Sequence, residues 1–328
     1  MSLVFGVTIA YIYIYPNRVY GLKKGTRMQD KAMAMVWASF AADTLALGAH
    51  WIYSIKRIAR DFGRIETFRD PVPQSYHAAK HRGDFTHYGD QAFVLLESLA
   101  ARGGFDPQDF SRRWQALFKG YTGYFDQATK STLENLASGT PFLEAGSTSN
   151  DLAGAAMIAP LAYRIRDEED RMAEAARTLT TLTHNDTLTV DAAEFFARVS
   201  FRVLHGARPV HAVHTVIEAF FKGTPIEAWT HKGLMDSSDE SPEVIKTFGQ
   251  DCHSPDAFPS VIHLISRYED DLKEALVQNV MSGGDSAARG MAVGMVLGAH
   301  LGMPAIPENW IRDLNTAQAI QALLEQMP

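Results

Sequence analysis

The chain of 328 residues has a single cysteine, Cys252. That excludes an internal disulfide framework and any zinc site built from several cysteines. Basic residues are outnumbered, with 31 Lys and Arg against 38 Asp and Glu and a net charge of -7. A general nucleic-acid binder needs a basic face, so nucleic acid is not an expected partner. Long apolar runs are also missing. The longest, Val4 to Tyr15, is about half of a membrane span. No basic residue precedes it and no clear small-residue cleavage site follows, so it does not read as a signal peptide. The expected location is the cytoplasm, with no membrane partner. Strand signals after residue 28 are nearly absent. There is no Walker loop, no dinucleotide G-x-G-x-x-G, no HExxH pair and no G-x-S-x-G elbow.

What is present is helical periodicity. It predicts an all-α single globular domain of about a dozen helices over residues 28–328. Residues 1–27 read as a leader or over-extended N-terminus, with a β-hairpin or partner-binding arm as the alternative. From Met28 to Ile58, the residues Met33, Val36, Trp37, Phe40 and Leu45 recur at helix spacing. Asp43 lies inside that apolar pattern and needs a partner there. His50 lies seven residues later, on about the same face. A loop is expected over 61–90, broken by Pro71 and Pro73, and it carries His77, His81 and His87. It ends in Thr86-His87-Tyr88-Gly89-Asp90-Gln91, ahead of a helix from Ala92 to Ala101. Trp114, Phe118, Tyr121 and Phe125 form an aromatic stripe that reads as core. Pro160 should kink a small-residue helix over 152–165. Thr183-His184-Asn185-Asp186 reads as turn and cap chemistry. Residues 225–259 are the least regular and read as a mobile insertion or lid.

The chain is organised around Gly283-Gly284-Asp285-Ser286. An acidic helix pattern precedes it, and a helix rich in Gly, Ala, Val and Met follows, from about Ala287 to Gly302. Two glycines let the backbone turn where a side chain would not. Asp285 and Ser286 then stand at a helix start, where their oxygens can accept from free N–H groups. Gly89-Asp90 repeats the pattern, and the two acidic starts are expected to meet. Carboxylates and hydroxyls are hard ligands suited to Mg²⁺, Mn²⁺ or Ca²⁺. From the residues alone, capping remains the plainer reading of both.

In order along the chain, Ala42-Asp43-Thr44-Leu45 through His50-Trp51-Ile52-Tyr53, then His87-Tyr88-Gly89-Asp90-Gln91, Gly154 to Leu161, Thr183-His184 and Gly283-Gly284-Asp285-Ser286 resemble the motifs of the ADP-ribosylglycohydrolase family. More narrowly they resemble its branch containing the J1-type crystallins. The resemblance runs from about Ala34 to Trp310. It implies an all-α fold and a two-metal Mg²⁺ or Mn²⁺ site that hydrolyses a glycosidic bond to ADP-ribose. Carried onto this chain, it implies Asp90 and Asp285 as catalytic groups, with Asp90, Asp285 and Ser286 as metal ligands. His50, His87, Tyr88, Gly89, Gly283 and Gly284 would line the substrate.

The departures are as informative. Family members carry a hydroxyl residue and two aspartates where this chain has Gly89, Asp90 and Gln91. They carry a second aspartate and a threonine where it has Ala287 and Ala288. They carry a glutamate where it has His50, and an arginine near Met157. Two cations about 3.5–4 Å apart need several carboxylates, so one ion is expected rather than two, and none if the protein is inactive. The implied ligand is an ADP-ribosylated substrate or a related nucleotide-sugar. The implied functions are hydrolysis by a degenerate metal site or, alternatively, inactive ADP-ribose or small-ligand binding, or a structural, crystallin-like role.

Overall fold

The computed structural model describes residues 14–15, 18–19, 27–235 and 237–327. Most of the stretch expected to be a leader lies outside the described residues. Within it, Ile14–Tyr15 and Arg18–Val19 form a two-residue antiparallel pair. All else of regular structure is helical. α1 is Arg27–Ala46, α2 Ile55–Phe62, α3 His87–Arg102, α4 Pro107–Phe118 and α5 Gln127–Ala137. α6 is Ala153–Ala156, α7 Ala159–Arg164, α8 Glu169–Thr181, α9 Thr187–Leu204 and α10 Pro209–Val216. α11 is Pro225–Leu234, α12 Ser241–Phe248, α13 Ser254–Arg267 and α14 Leu272–Met281. α15 is Ser286–Leu301, α16 Glu308–Arg312 and α17 Ala317–Glu325. One hydrophobic core runs from Ala32 on α1 to Met327 beyond α17.

The axis of the fold is the α1–α15 pair, the most extensive helix contact in the molecule. Both helices are buried on nearly every side, which suits segments that are apolar all round. Their closeness comes from small residues. A Cβ added to Gly294 would lie 2.5 Å from the Ala38 carbonyl oxygen, and one added to Gly298 2.6 Å from that of Ala34. The glycines of one helix thus seat directly on the alanine backbone of the other.

Asp43 lies inside this buried stretch of α1, and its partner explains how it is tolerated there. Its two oxygens accept from the Thr86 backbone N–H at 2.8 Å and the Thr86 hydroxyl at 2.5 Å. Thr86 is the N-cap of α3, so one buried carboxylate fixes where that helix begins. A Cβ on Gly89 would stand 2.8 Å from Asp43 Cγ, so the small residue is required by the approach of this carboxylate.

Three expectations differ. The helix through residue 58 stops at Ala46, because the chain turns through 47–51 to reach the Gly283–Gly284 turn. α3 begins at His87 instead of Ala92, so Gly89 and Asp90 lie in its first turn. Residues 225–259 contain α11 and α12 and the start of α13; Ile226, Val244, Ile245 and Phe248 are buried, so the segment is packed and not a lid. The 152–165 helix breaks ahead of Pro160 into α6 and α7 as its proline requires.

Candidate functional site

The Gly283–Gly284 turn is held from three sides. Both glycines have positive φ, 69° and 66°. A Cβ on Gly284 would come within 2.6 Å of Gln250 Cβ, so the turn needs both glycine's conformation and its bareness. The Trp51 N–H donates to the Gly284 carbonyl at 2.9 Å and the Gly284 N–H to that of Ile52 at 3.0 Å. The Asp285 N–H donates to the Gln250 carbonyl at 2.8 Å. Beneath, the fully buried Arg289 donates to Gly283 O at 2.8 Å and to Asn279 Oδ1 at 2.8 Å. Burial lowers this guanidinium to about 10, although Asp285 nearby favours its charge.

Asp285 is delivered by this turn as the N-cap of α15, and four donors surround its carboxylate. Oδ1 accepts from His50 Nε2 at 3.1 Å and the Ala288 N–H at 3.3 Å. Oδ2 accepts from the Tyr88 hydroxyl at 2.9 Å and Trp51 Nε1 at 3.3 Å. An ionised carboxylate offers about four lone-pair sites, so these donors use its capacity. Burial pushes the Asp285 carboxyl up, but His50 and the Tyr88 hydroxyl outweigh it and hold the group below its ordinary value. Burial lowers His50 too, more than Asp285 raises it. The imidazole is therefore neutral near pH 7, and the contact is an N–H···carboxylate hydrogen bond instead of an ion pair. With Nε2 as donor, His50 Nδ1 accepts from His77 Nε2 at 2.7 Å. Burial also keeps His77 neutral, and its Nδ1 has no protein partner.

Trp51 adopts φ 64°, a left-handed conformation that a bulky residue rarely takes. This conformation, strained by about 1–3 kcal/mol, puts its indole N–H on Asp285 and its ring in the lining of a cleft of about 490 Å³.

Asp285 stands behind Trp51 and Tyr88, and two other aspartates face that cleft. Asp126 is the N-cap of α5; it accepts from the Thr129 N–H at 2.5 Å and from His87 Nε2 at 2.9 Å. Burial pushes Asp126 up, but His87 and that N–H hold it well below the carboxylate range, so it is ionised. Asp151 accepts from the Ala153 N–H at 2.9 Å and lies 3.4 Å from the Tyr88 hydroxyl. Burial, reinforced by Asp285, pushes Asp151 well above the ordinary range, so it carries a proton. The single Tyr88 proton serves Asp285, and the Asp151 carboxyl can donate to the Tyr88 oxygen. Residues 150–152 pair with 252–254, through Leu152 N–Cys252 O at 2.9 Å and Ser254 N–Asn150 O at 2.8 Å, and this sets Cys252 beside Asp151. Potential ligand atoms of Asp151, Cys252 and Asp285 all lie within 4.8 Å of one another.

Of the residues expected at the site, the structure gathers His50, Tyr88, Asp285 and the Gly283–Gly284 turn. His87 stands next to them, its ring 3.8 Å from that of Tyr88 and 6.3 Å from that of His50. Ser286 is buried at the same helix start, its hydroxyl without a protein partner. Asp90 turns elsewhere. It accepts from Lys80 Nζ at 2.5 Å and from the Tyr121 hydroxyl, and among the described residues it shares no hydrogen-bond partner with Asp285. Gly89 packs on Asp43 and not against the cleft lining. His184 is a buried turn residue: its Nδ1 meets the Thr183 hydroxyl at 2.9 Å, and its ring packs under Gly154. Asp126, Asp151, Trp51, Tyr124 and Cys252 line the cleft without being site candidates from the sequence. A signal for the first two was available, since Asp126 immediately precedes α5 as Asp285 does α15, and Asp151 lies two residues before α6.

Residues 24–328 match the ADP-ribosylglycohydrolase family. The chain belongs to that family. Among its relatives is crystallin J1A of Tripedalia cystophora, 26% identical over 317 residues, covering 91% of this chain and 96% of the crystallin. Crystallin J1B of the same animal is 25% identical, covering 87% and 92%. An uncharacterized protein of Archaeoglobus fulgidus is 23% identical, covering 92% and 96%. A solved ADP-ribosylglycohydrolase-related protein complex superposes with a TM-score of 0.74 at 22% identity, over 92% of this chain and 97% of its own, which establishes the shared ADP-ribosylglycohydrolase fold. No helix among the described residues is long and apolar enough to cross a membrane.

Proposed function

We propose that the cleft beside Asp285 binds a small glycosyl ligand, ADP-ribose or a related nucleoside-sugar, and does so without a divalent cation. The observation that carries this is the saturation of Asp285 by His50, Trp51, Tyr88 and the Ala288 N–H. A cation seeking this carboxylate must displace a built-in donor. Asp90, the other family carboxylate, is already engaged by an ammonium and a phenol. The remaining donor set suits Mg²⁺ or Mn²⁺ poorly: burial keeps Asp151 and Cys252 protonated, and a thiol is a soft ligand. What favours a sugar is the cleft itself, with indole and phenol rings on one wall and the polar run Ser147–Asp151 on another.

Calorimetric titration with ADP-ribose and with adenosine, in the presence of a chelator, tests this. Binding of at least one of them in chelator, weakened by Trp51→Ala, supports the reading. Binding that vanishes in chelator and returns with Mg²⁺ contradicts it.

One observation favours turnover as a second reading. Asp151, protonated, and Asp126, ionised, share the cleft, and carboxyl groups held in opposite states are the usual acid and base pair of glycoside hydrolysis. In that reading Asp151 protonates the leaving group as the glycosidic bond breaks, Asp126 faces the positive charge that develops at the anomeric carbon, and water adds to that carbon with its proton passing to the Asp151 carboxylate. Chelator-resistant release of ribose, lost in Asp151→Asn, is the expected sign; no release with intact binding leaves a binding protein only.

A further inference from the structure

Resting on the reading of the cleft as a glycosyl site, the lining says which ligands fit. Among the described residues no lysine or arginine lines it, while Asp126 and Asp151 do. Phosphate groups can also be held by free helix N-termini, but at both helix starts that open on this cleft an aspartate carboxyl already takes one backbone N–H. Asp126 takes the Thr129 N–H at the start of α5, and Asp151 takes the Ala153 N–H at the start of α6. A pyrophosphate would meet these two carboxyl groups. Lys80 is engaged by Asp90, and the exposed Lys130 lies over the Tyr124 ring, 5.7 Å from its centre, outside the cleft lining.

The rim has the opposite chemistry. Trp51, Tyr76 and Tyr124 form a three-ring corner. Trp51 and Tyr124 are 4.9 Å apart at 76°, Tyr76 and Tyr124 4.9 Å at 65°, and Trp51 and Tyr76 5.2 Å at 89°. Tyr76 is 64% exposed, so the corner is open to an incoming group. Electron-rich faces set at steep angles beside an ionised carboxylate are the surroundings that hold organic cations.

We propose that the cleft selects a phosphate-free glycosyl ligand whose aglycone is a planar organic cation, the N-glycosyl pyridinium class, over a pyrophosphate-bridged nucleotide. The sugar lies along Ser147–Asp151, and the cationic ring sits in the corner of Trp51, Tyr76 and Tyr124, facing Asp126.

The test is calorimetry in chelator with four probes: the N-ribosyl pyridinium nicotinamide riboside, neutral adenosine, ADP-ribose, and the sugar-free cation N-methylnicotinamide. The expected order places the riboside cation about tenfold or more tighter than adenosine or ADP-ribose, the size of one desolvated cation–π contact. Tyr76→Ala, on the exposed rim where folding is not at stake, should reduce the preference for the riboside cation over adenosine by about twofold to fivefold, the size of an exposed cation–π contact. ADP-ribose binding as tightly as the riboside cation overturns the inference and leaves the glycosyl site standing. N-methylnicotinamide equalling the riboside keeps the cation corner and overturns the glycosyl reading. No binding of any probe overturns both.

Discussion

His50 and Asp285 meet at 3.1 Å across 235 residues of sequence, imidazole N–H to carboxylate, with no room in that bond for an ion. The resemblance to the family places a glutamate where His50 stands. Exchanging an acceptor for a donor lets the Asp285 carboxylate pair with protein directly. His50→Glu should reverse this. Two buried carboxylates then face each other, and one must take a proton or a cation. The variant is expected to melt lower than the parent in chelator and to regain stability in millimolar Mn²⁺, while the parent's melting temperature does not respond to the metal. His50→Ala should cost about 2–4 kcal/mol in urea unfolding, since it strips a buried carboxylate of one donor and leaves a hole.

Asp90→Asn separates the two family carboxylates. Asp90 bonds Lys80 and Tyr121, away from the lining of the cleft. Loss of its charge should lower stability by about 1–3 kcal/mol through the unpaired ammonium. Ligand affinity measured by calorimetry should change by less than about twofold, well below a tenfold step of about 1.4 kcal/mol. Asp151→Ala should weaken the same binding by about tenfold or more.

Stability should fall as pH drops below neutrality. Burial holds His77 well below the ordinary histidine value of 6.5, and His184 at about 4. Below 6.5 the unfolded chain binds protons that the folded one refuses, so each residue removes about 1.4 kcal/mol per pH unit down to its folded value. Asp43 acts in the opposite sense. Burial lifts it to about 6 against the two Thr86 hydrogen bonds, so it favours the fold as pH falls from 6 towards 3.8. In urea titrations between pH 7 and 5, His184→Gln should therefore lose about 2 kcal/mol less than the parent. An unchanged pH slope contradicts a neutral, buried His184.

Gly294→Ala tests the axis of the fold. Its new Cβ would meet the Ala38 carbonyl oxygen at 2.5 Å, backbone against backbone with nothing flexible to yield. The intrinsic helix preference for alanine, about 1 kcal/mol, should be overwhelmed by overpacking of about 1–3 kcal/mol or more. The expected result is a lower urea midpoint with unchanged slope. A stabilised variant would show that α1 and α15 are not in such close contact.

The helical character, the break before Pro160 and the central role of Gly283–Gly284 were legible because each rests on local chemistry: periodicity, a missing N–H, a positive φ. Asp43 announced itself as a buried charge in need of a partner, but the partner, Thr86, lay 43 residues away and left no local mark. Asp90 and Asp285 look alike in sequence, each after a glycine and near a helix start. Their fates diverge because α3 begins three residues before Asp90, at His87, which turns its carboxylate toward Lys80. Cys252 reaches Asp151 only through the pairing of 150–152 with 252–254, a crossing of two irregular segments with no periodic signal.

The most direct measurement is a Mn²⁺ titration of chelator-treated protein followed by electron paramagnetic resonance, run beside Asp285→Asn. Free Mn²⁺ is expected to rise in the same way for both proteins through the millimolar range, because the Asp285 oxygens are committed to His50, Trp51, Tyr88 and the Ala288 N–H. A stoichiometric Mn²⁺ site in the parent that disappears in Asp285→Asn would contradict it.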